Sequence, residues 1–214
     1  GVVSLTGFGF TFSSFLKLFS GFPFGALVVT AILCIILGMG MPAVATYIIV
    51  ATLAVPVLID FGFVPLAAHF FAFVFASFSS ITPPVALATY AASGLAESDP
   101  WKSGLYGFQL ASVAFLSPFI FIYSPVLLGV GGLSMMLLPA VLAICGTFVY
   151  VGGMQGYLFG NVKNIIWRLL LIVAGVLLII PGLKTAAIGA AITLIVLLLG
   201  RMSAKKTLEN AVKG

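Results

Sequence analysis

The chain has 214 residues, of which 63% are hydrophobic and 6% charged, and its mean hydropathy is +1.34. A water-soluble domain carries about 25% charged residues, so the composition excludes one and indicates an all-α integral membrane protein, with apolar runs too long for barrel strands. The formal charge of +5 and the pI near 9.4 do not indicate nucleic acid. The basic residues sit at helix ends rather than along one face, as the positive-inside rule describes.

Residues 1–22 mix glycine, serine and phenylalanine with Lys17. Residues 10–19 read either as a short interfacial helix or as a connecting loop with one helical turn. Phe24 to Leu37 is apolar but only about 21 Å long as a helix, short of the ~30 Å hydrocarbon core. It ends at Gly38-Met39-Gly40-Met41-Pro42, and helix resumes from Ala43 to Ile59, with Pro56 near its end. Two short arms around a Gly/Pro tip read as a re-entrant hairpin over 24–59, with two continuous spans as the alternative. Asp60-Phe61-Gly62 is a turn. A broken helix follows over 63–95: Phe63 to Phe78, then Ser79-Ser80-Ile81-Thr82-Pro83-Pro84, then Val85 to Leu95.

Glu97 to Lys102 is an aqueous loop with Trp101 as an interface anchor. About four transmembrane helices are expected in 101–200: Leu105 to Leu128, bent at Pro118 and Pro125, then Ser134 to Val151, Ile165 to Ile180 and Ala186 to Leu199. Residues 201–214 form a basic tail. With that tail in the cytoplasm, Lys102, Lys163, Arg168, Arg201, Lys205, Lys206 and Lys213 fall inside, against Lys17 and Lys184 outside. The asymmetry satisfies the positive-inside rule. Cys34 and Cys145 have no metal-ligand spacing and read as small core residues. No signal peptide is read at Gly1, and the absent initiator methionine suggests a fragment of a longer protein or a processed chain, of which the fragment is the expectation.

The two breaks carry the expected chemistry. An interrupted helix at membrane depth is tolerated where it is buried in protein or lines a polar cavity. Free helix N-termini favour carboxylates, while unwound carbonyls and hydroxyls hold Na⁺. Gly38, Gly40, Ser79, Ser80 and Thr82 are the expected Na⁺ ligands. Pro42, Thr46, Tyr47, Thr82 and Pro83 are the expected substrate contacts, with Thr89 a nearby polar candidate. For any one of them the bland alternative is a back-bonded hydroxyl or a packing glycine. Neither break contains an acidic residue, which argues against a carboxylate proton relay. His69, the only histidine, reads either as a proton or substrate group or as a hydrogen-bonded side chain within the bundle. No nucleophile elbow, acidic pair or phosphate loop appears, so an intramembrane enzyme is not expected.

At these motifs the chain resembles the large membrane subunit of tripartite ATP-independent periplasmic (TRAP) transporters, in the fused permease subgroup served by TAXI-type binding proteins. Thr6-Gly7-Phe8-Gly9, Ile36 to Pro42, Pro65-Leu66-Ala67-Ala68-His69, Ile81 to Ala88 and Ala91 to Ala96 carry the resemblance, over roughly residues 1–130. It implies Na⁺-coupled uptake of organic acids across a bacterial or archaeal inner membrane by an elevator movement. It also implies a periplasmic binding protein, the permease's N-terminal half and small-subunit-like helices as partners. Residues 23–100 would be one of two inverted halves of the transport domain, and 1–22 an arm. The hydroxyls usual after the tip proline are replaced here by Ala43 and Val44, which shifts weight to backbone carbonyls. A channel or scaffold subunit is the alternative.

Overall fold

A computed structural model describes residues 8–158, 162, 164–180 and 182–212. Thr6, Gly7, Lys163, Pro181, Lys213 and the side chains beyond Leu198 lie outside the described residues. All regular elements among the described residues are helices. They form two compact units, Gly1–Leu128 and Gly129–Gly214.

The first unit opens with α1, Phe8–Lys17. Helix α2, Pro23–Gly38, is apolar all round and starts with proline in its first turn, where a missing N–H costs little. It ends because Met41 N–H turns back to the Gly38 carbonyl (3.2 Å) and Gly40 adopts φ +83°. Pro42 then precedes α3, Ala43–Leu53. Helix α4, Val55–Asp60, continues α3 after a kink at Ala54. Pro56 has no N–H for the carbonyl four residues earlier. The Ser13 hydroxyl of α1 donates to the Leu53 carbonyl at this kink (2.9 Å), and Lys17 pairs with Asp60 at 3.5 Å. Helix, break and helix thus follow one another from Pro23 to Asp60, and α1 is fastened to the helices after the break.

Helix α5, Pro65–Phe78, packs against α2, α3 and α4. Leu27, Cys34, Val50, Leu58 and Phe71 are fully buried between them. The second break follows, and α6, Leu87–Leu95, resumes two residues later than the sequence suggests. Asp99 caps α7, Pro100–Ala111, by accepting the Lys102 N–H at 2.7 Å. Tyr90 and Thr89 of α6 pack onto Gly104 and Gly107 of α7.

The span expected over 105–128 is not one straight helix. Between α7 and the segment Ala114–Tyr123 the axis bends by 51°. Pro118 leaves the Ala114 carbonyl without its usual donor, and the Ser117 hydroxyl takes it at 2.7 Å. This bend brings α8, Ser117–Tyr123, onto α5 through an aromatic seam. Phe119 meets Phe71 and Phe75 at centroid distances of 5.1 and 5.6 Å, and Phe115 meets Phe78 at 4.7 Å. Such pairs contribute about 0.5–1.5 kcal/mol each beyond area burial.

The second unit holds α9, Leu133–Gln155, α10, Ile165–Ile179, and α11, Leu183–Val212, which carries the helix on through the start of the tail. Glycines set the spacing of these helices. A Cβ at Gly175 of α10 would lie 2.6 Å from the Tyr150 nitrogen and 2.8 Å from the Gly146 carbonyl of α9. Close backbone approach of this kind is how membrane helices pack without a hydrophobic driving force. Arg168 of α10 donates through Nε to the Gly153 carbonyl (3.1 Å) and through Nη2 to that of Met154. It therefore satisfies the last turn of α9, whose chain reverses at Gly156 with φ +72°.

Ser134–Gln155, of 22 residues, is the one helix among the described residues long and apolar enough to cross a membrane. The bent pair Pro100–Ala111 and Ala114–Tyr123 adds a second if it forms one broken span. The other apolar helices are shorter: α10, with 15 residues, spans only ~22 Å at 1.5 Å per residue.

Candidate functional site

The two predicted breaks meet. Gly38, the last residue of α2, is buried against Ser79, the first residue past α5. A Cβ at Gly38 would lie 2.5 Å from Ser79 Cβ, closer still to its Oγ, and 3.4 Å from the Ala76 carbonyl. Only a hydrogen at that position lets the hairpin tip and the broken helix touch.

Beyond Ser79 the chain makes one 3₁₀ turn, Ser79–Ile81, and Thr82 becomes extended (φ −96°, ψ 123°). The Pro83–Pro84 peptide is cis. Ala86 is left-handed (φ 34°, ψ 44°) and fully buried. For a residue with a Cβ that conformation costs about 1–2 kcal/mol. It holds because Ala86 N–H donates to the Thr82 carbonyl (3.0 Å), while the Ala86 carbonyl accepts from Tyr90 N–H (2.9 Å) and the Thr89 hydroxyl (2.9 Å). Tyr90 Oη donates to the Pro84 carbonyl (2.9 Å). The break is therefore an ordered loop with its own hydrogen-bond scaffold, not a frayed helix.

Each serine or threonine hydroxyl expected to act as a ligand is bonded back to its own helix. Ser79 donates to Ala76 (2.7 Å), Ser80 to Ser77 (2.8 Å), Thr82 to Phe78 (2.7 Å) and Thr46 to Pro42 (3.4 Å). The bonds commit the protons, so each oxygen presents only lone pairs outward. Ser79 and Thr82 are buried, Ser80 and Pro83 half-buried, Thr46 fully buried, and Gly40 and Pro42 exposed. No cluster of three or more His, Cys, Asp or Glu that could hold a metal occurs among the described residues, and neither break, 38–42 or 79–84, contains an acidic residue.

Tyr47, expected at the substrate, is committed to a different partner. Its hydroxyl lies 3.0 Å from His69 Nδ1, and its ring meets Phe73 edge-on at 5.7 Å. This link joins the second hairpin arm to α5 across 22 residues of sequence. The sequence offers His69 as a hydrogen-bonded side chain within the bundle, as found, but residue patterns do not name Tyr47 as its partner, and they give no sign of the left-handed Ala86, since alanine carries no signal for that conformation. Thr30, two turns before Gly38 on α2, is fully buried, and its hydroxyl has no partner.

Residues 1–136 match the family described as the DctM component of the tripartite ATP-independent periplasmic transporters. The chain belongs to this family. The match takes in both breaks, the hairpin and α5 to α8. TRAP proteins of this type are integral inner-membrane permeases, a transporter family rather than an enzyme family. They work with a periplasmic binding protein and a small membrane subunit. No curated protein and no solved structure matches the chain.

Proposed function

We propose that this chain supplies the C-terminal half of the transport domain of a fused, TAXI-type TRAP permease, and that the permease couples Na⁺ to the uptake of organic acids. The contact of Gly38 with Ser79 carries this reading, because it brings two non-helical tips together inside an apolar bundle. Na⁺ would bind to carbonyls of Gly38 and Gly40 and to the lone pairs of Ser79, Ser80 and Thr82. Oxygens whose protons are already committed suit a hard cation better than free donors do. The carboxylate would lie by Pro42, Thr46, Tyr47, Thr82 and Pro83, near the N-terminal end of α3, whose free N–H groups favour anions.

Residues 23–60 would be re-entrant and would move with α5 and α6 as one half of an elevator, with the permease's N-terminal half as the inverted counterpart. The chain would cross the membrane several times, with its C-terminus in the cytoplasm. A TAXI-type binding protein would deliver the substrate, and small-subunit-like helices would complete the scaffold.

The test is uptake of radiolabelled mono- and dicarboxylates by the complete permease in proteoliposomes, with its binding protein and an inward Na⁺ gradient. Uphill accumulation is expected, and Ser80→Ala and Thr82→Ala should raise the Na⁺ concentration for half-maximal uptake. Downhill flux indifferent to Na⁺ would identify a channel instead. Reduced uptake with unchanged Na⁺ dependence would remove the ligand assignment.

A further inference from the structure

We infer that Tyr47 is a proton-gated hydrogen-bond donor to the carboxylate, and that His69 is the gate. The inference rests on the carboxylate reading above and deepens it. The observation is the 3.0 Å contact between Tyr47 Oη and His69 Nδ1, from α3 to α5.

The chemistry follows from the donors each form possesses. A neutral imidazole whose Nδ1 carries no proton accepts the Tyr47 hydroxyl proton. The phenol oxygen then offers lone pairs alone, and lone pairs repel a carboxylate. A protonated imidazole has N–H at both positions and must donate from Nδ1. The hydrogen bond survives with its direction reversed. Tyr47 now accepts from His69, and its own O–H is released to donate elsewhere, beside a new positive charge. Uptake of one proton by the ring therefore turns an acceptor into a donor without moving either side chain. Donation from a group next to a cation to a carboxylate is the stronger kind of hydrogen bond.

The surroundings favour this role. Around α5 the other titratable groups are few: Cys34 on α2, Asp60 on α4 and Tyr123 on α8. Asp60 is engaged by Lys17, and Tyr123 packs edge-on to Phe63 at 5.6 Å. Tyr47 is the hydrogen-bond partner of the His69 ring. Its half-buried position places it one residue beyond Thr46 in the first turns of α3.

Two measurements on the complete permease test the gate. The first needs no substrate: ¹⁵N-histidine spectra, with the His69 signal assigned by its loss in His69→Gln. At high pH the ring should carry its proton on Nε2 with Nδ1 accepting a hydrogen bond, and in Tyr47→Phe the Nδ1 signal should move to that of an imidazole nitrogen with no donor. A ring protonated on Nδ1 at high pH leaves the Tyr47 hydroxyl free in every state and overturns the proposal. The second is the pH profile of carboxylate uptake in proteoliposomes. Lowering pH from 8 to 5 should reduce KM several-fold in the wild type, and the change should be lost in both Tyr47→Phe and His69→Gln. A profile that either variant leaves intact also overturns it. Should none of the carboxylates be transported, the proposed function fails, while the ¹⁵N result still decides the state of the pair.

Discussion

Replacing Gly38 by alanine should separate the two breaks. In an ordinary helix the change would stabilise by about 1 kcal/mol through propensity. Here the new methyl would stand 2.5 Å from Ser79 Cβ, where real Cβ contacts do not occur. The overlap is with a side-chain root and cannot be relieved by rotation. Forcing atoms into a packed site costs about 1–3 kcal/mol, and displacing Ser79 endangers its 2.7 Å bond to Ala76, adding about 1 kcal/mol. The net expectation is destabilisation by about 1–3 kcal/mol. Ser79→Gly in the same chain should restore most of the loss, because it removes the root itself. Ser79→Ala should restore less, since it retains Cβ. Thermal unfolding of the detergent-solubilised permease gives the cycle, with a coupling of about 1–3 kcal/mol between positions 38 and 79. Proteoliposome uptake should show a raised Na⁺ half-saturation for Gly38→Ala. Additive single and double variants, or a stabilised Gly38→Ala, would refute a packed contact between positions 38 and 79.

Other perturbations have equally definite signs. Thr30→Val exchanges an unpartnered buried hydroxyl for a methyl of the same shape and should stabilise by about 1–2 kcal/mol in thermal unfolding; a loss instead would mean that the hydroxyl serves a ligand. Gly175→Leu drives a side chain into the backbone of Tyr150 and Gly146 and should cost about 3 kcal/mol or prevent folding, with Gly175→Ala intermediate. Arg168→Met leaves the Gly153 and Met154 carbonyls without their donor and should cost about 1–3 kcal/mol. Arg168→Lys should recover only part of this, because an ammonium lacks the two-armed fork.

Both interruptions were legible because glycine and proline act locally. Gly40 needs a positive φ, Pro42 and Pro83 cannot continue a helix, and these rules hold whatever surrounds them. The meeting of Gly38 with Ser79 could not be read that way, since it depends on how α2 packs on α5. The same limit hid the Tyr47–His69 bond. Arg168 was legible as a charge near a helix start, but its capping of α9 is a tertiary contact. The restart of α6 at Leu87 rather than Val85 follows from Thr82 being extended and Ala86 left-handed, a path that alanine does not advertise. The bend after Ala111 was foreshadowed by Pro118, although its 51° size depends on the aromatic seam that α8 makes with α5. A charge-poor composition identified the bilayer as solvent, and that removed most alternatives at once.

The broken helix also divides a stiff segment from a soft one. Before the break, α5 buries Ala67, Ala68, Phe71, Ala72, Phe75 and Ala76, and its rings interlock with α8. After it, α6 buries only Ser93 among its nine residues. Local opening free energies track buried contact, so amide exchange should be slow up to Phe78 and faster from Leu87 on. A load applied to this chain would then be carried by α5 and absorbed by α6. The Thr82–Ala86 loop, with its closed set of hydrogen bonds, is the joint across which that difference in stiffness acts.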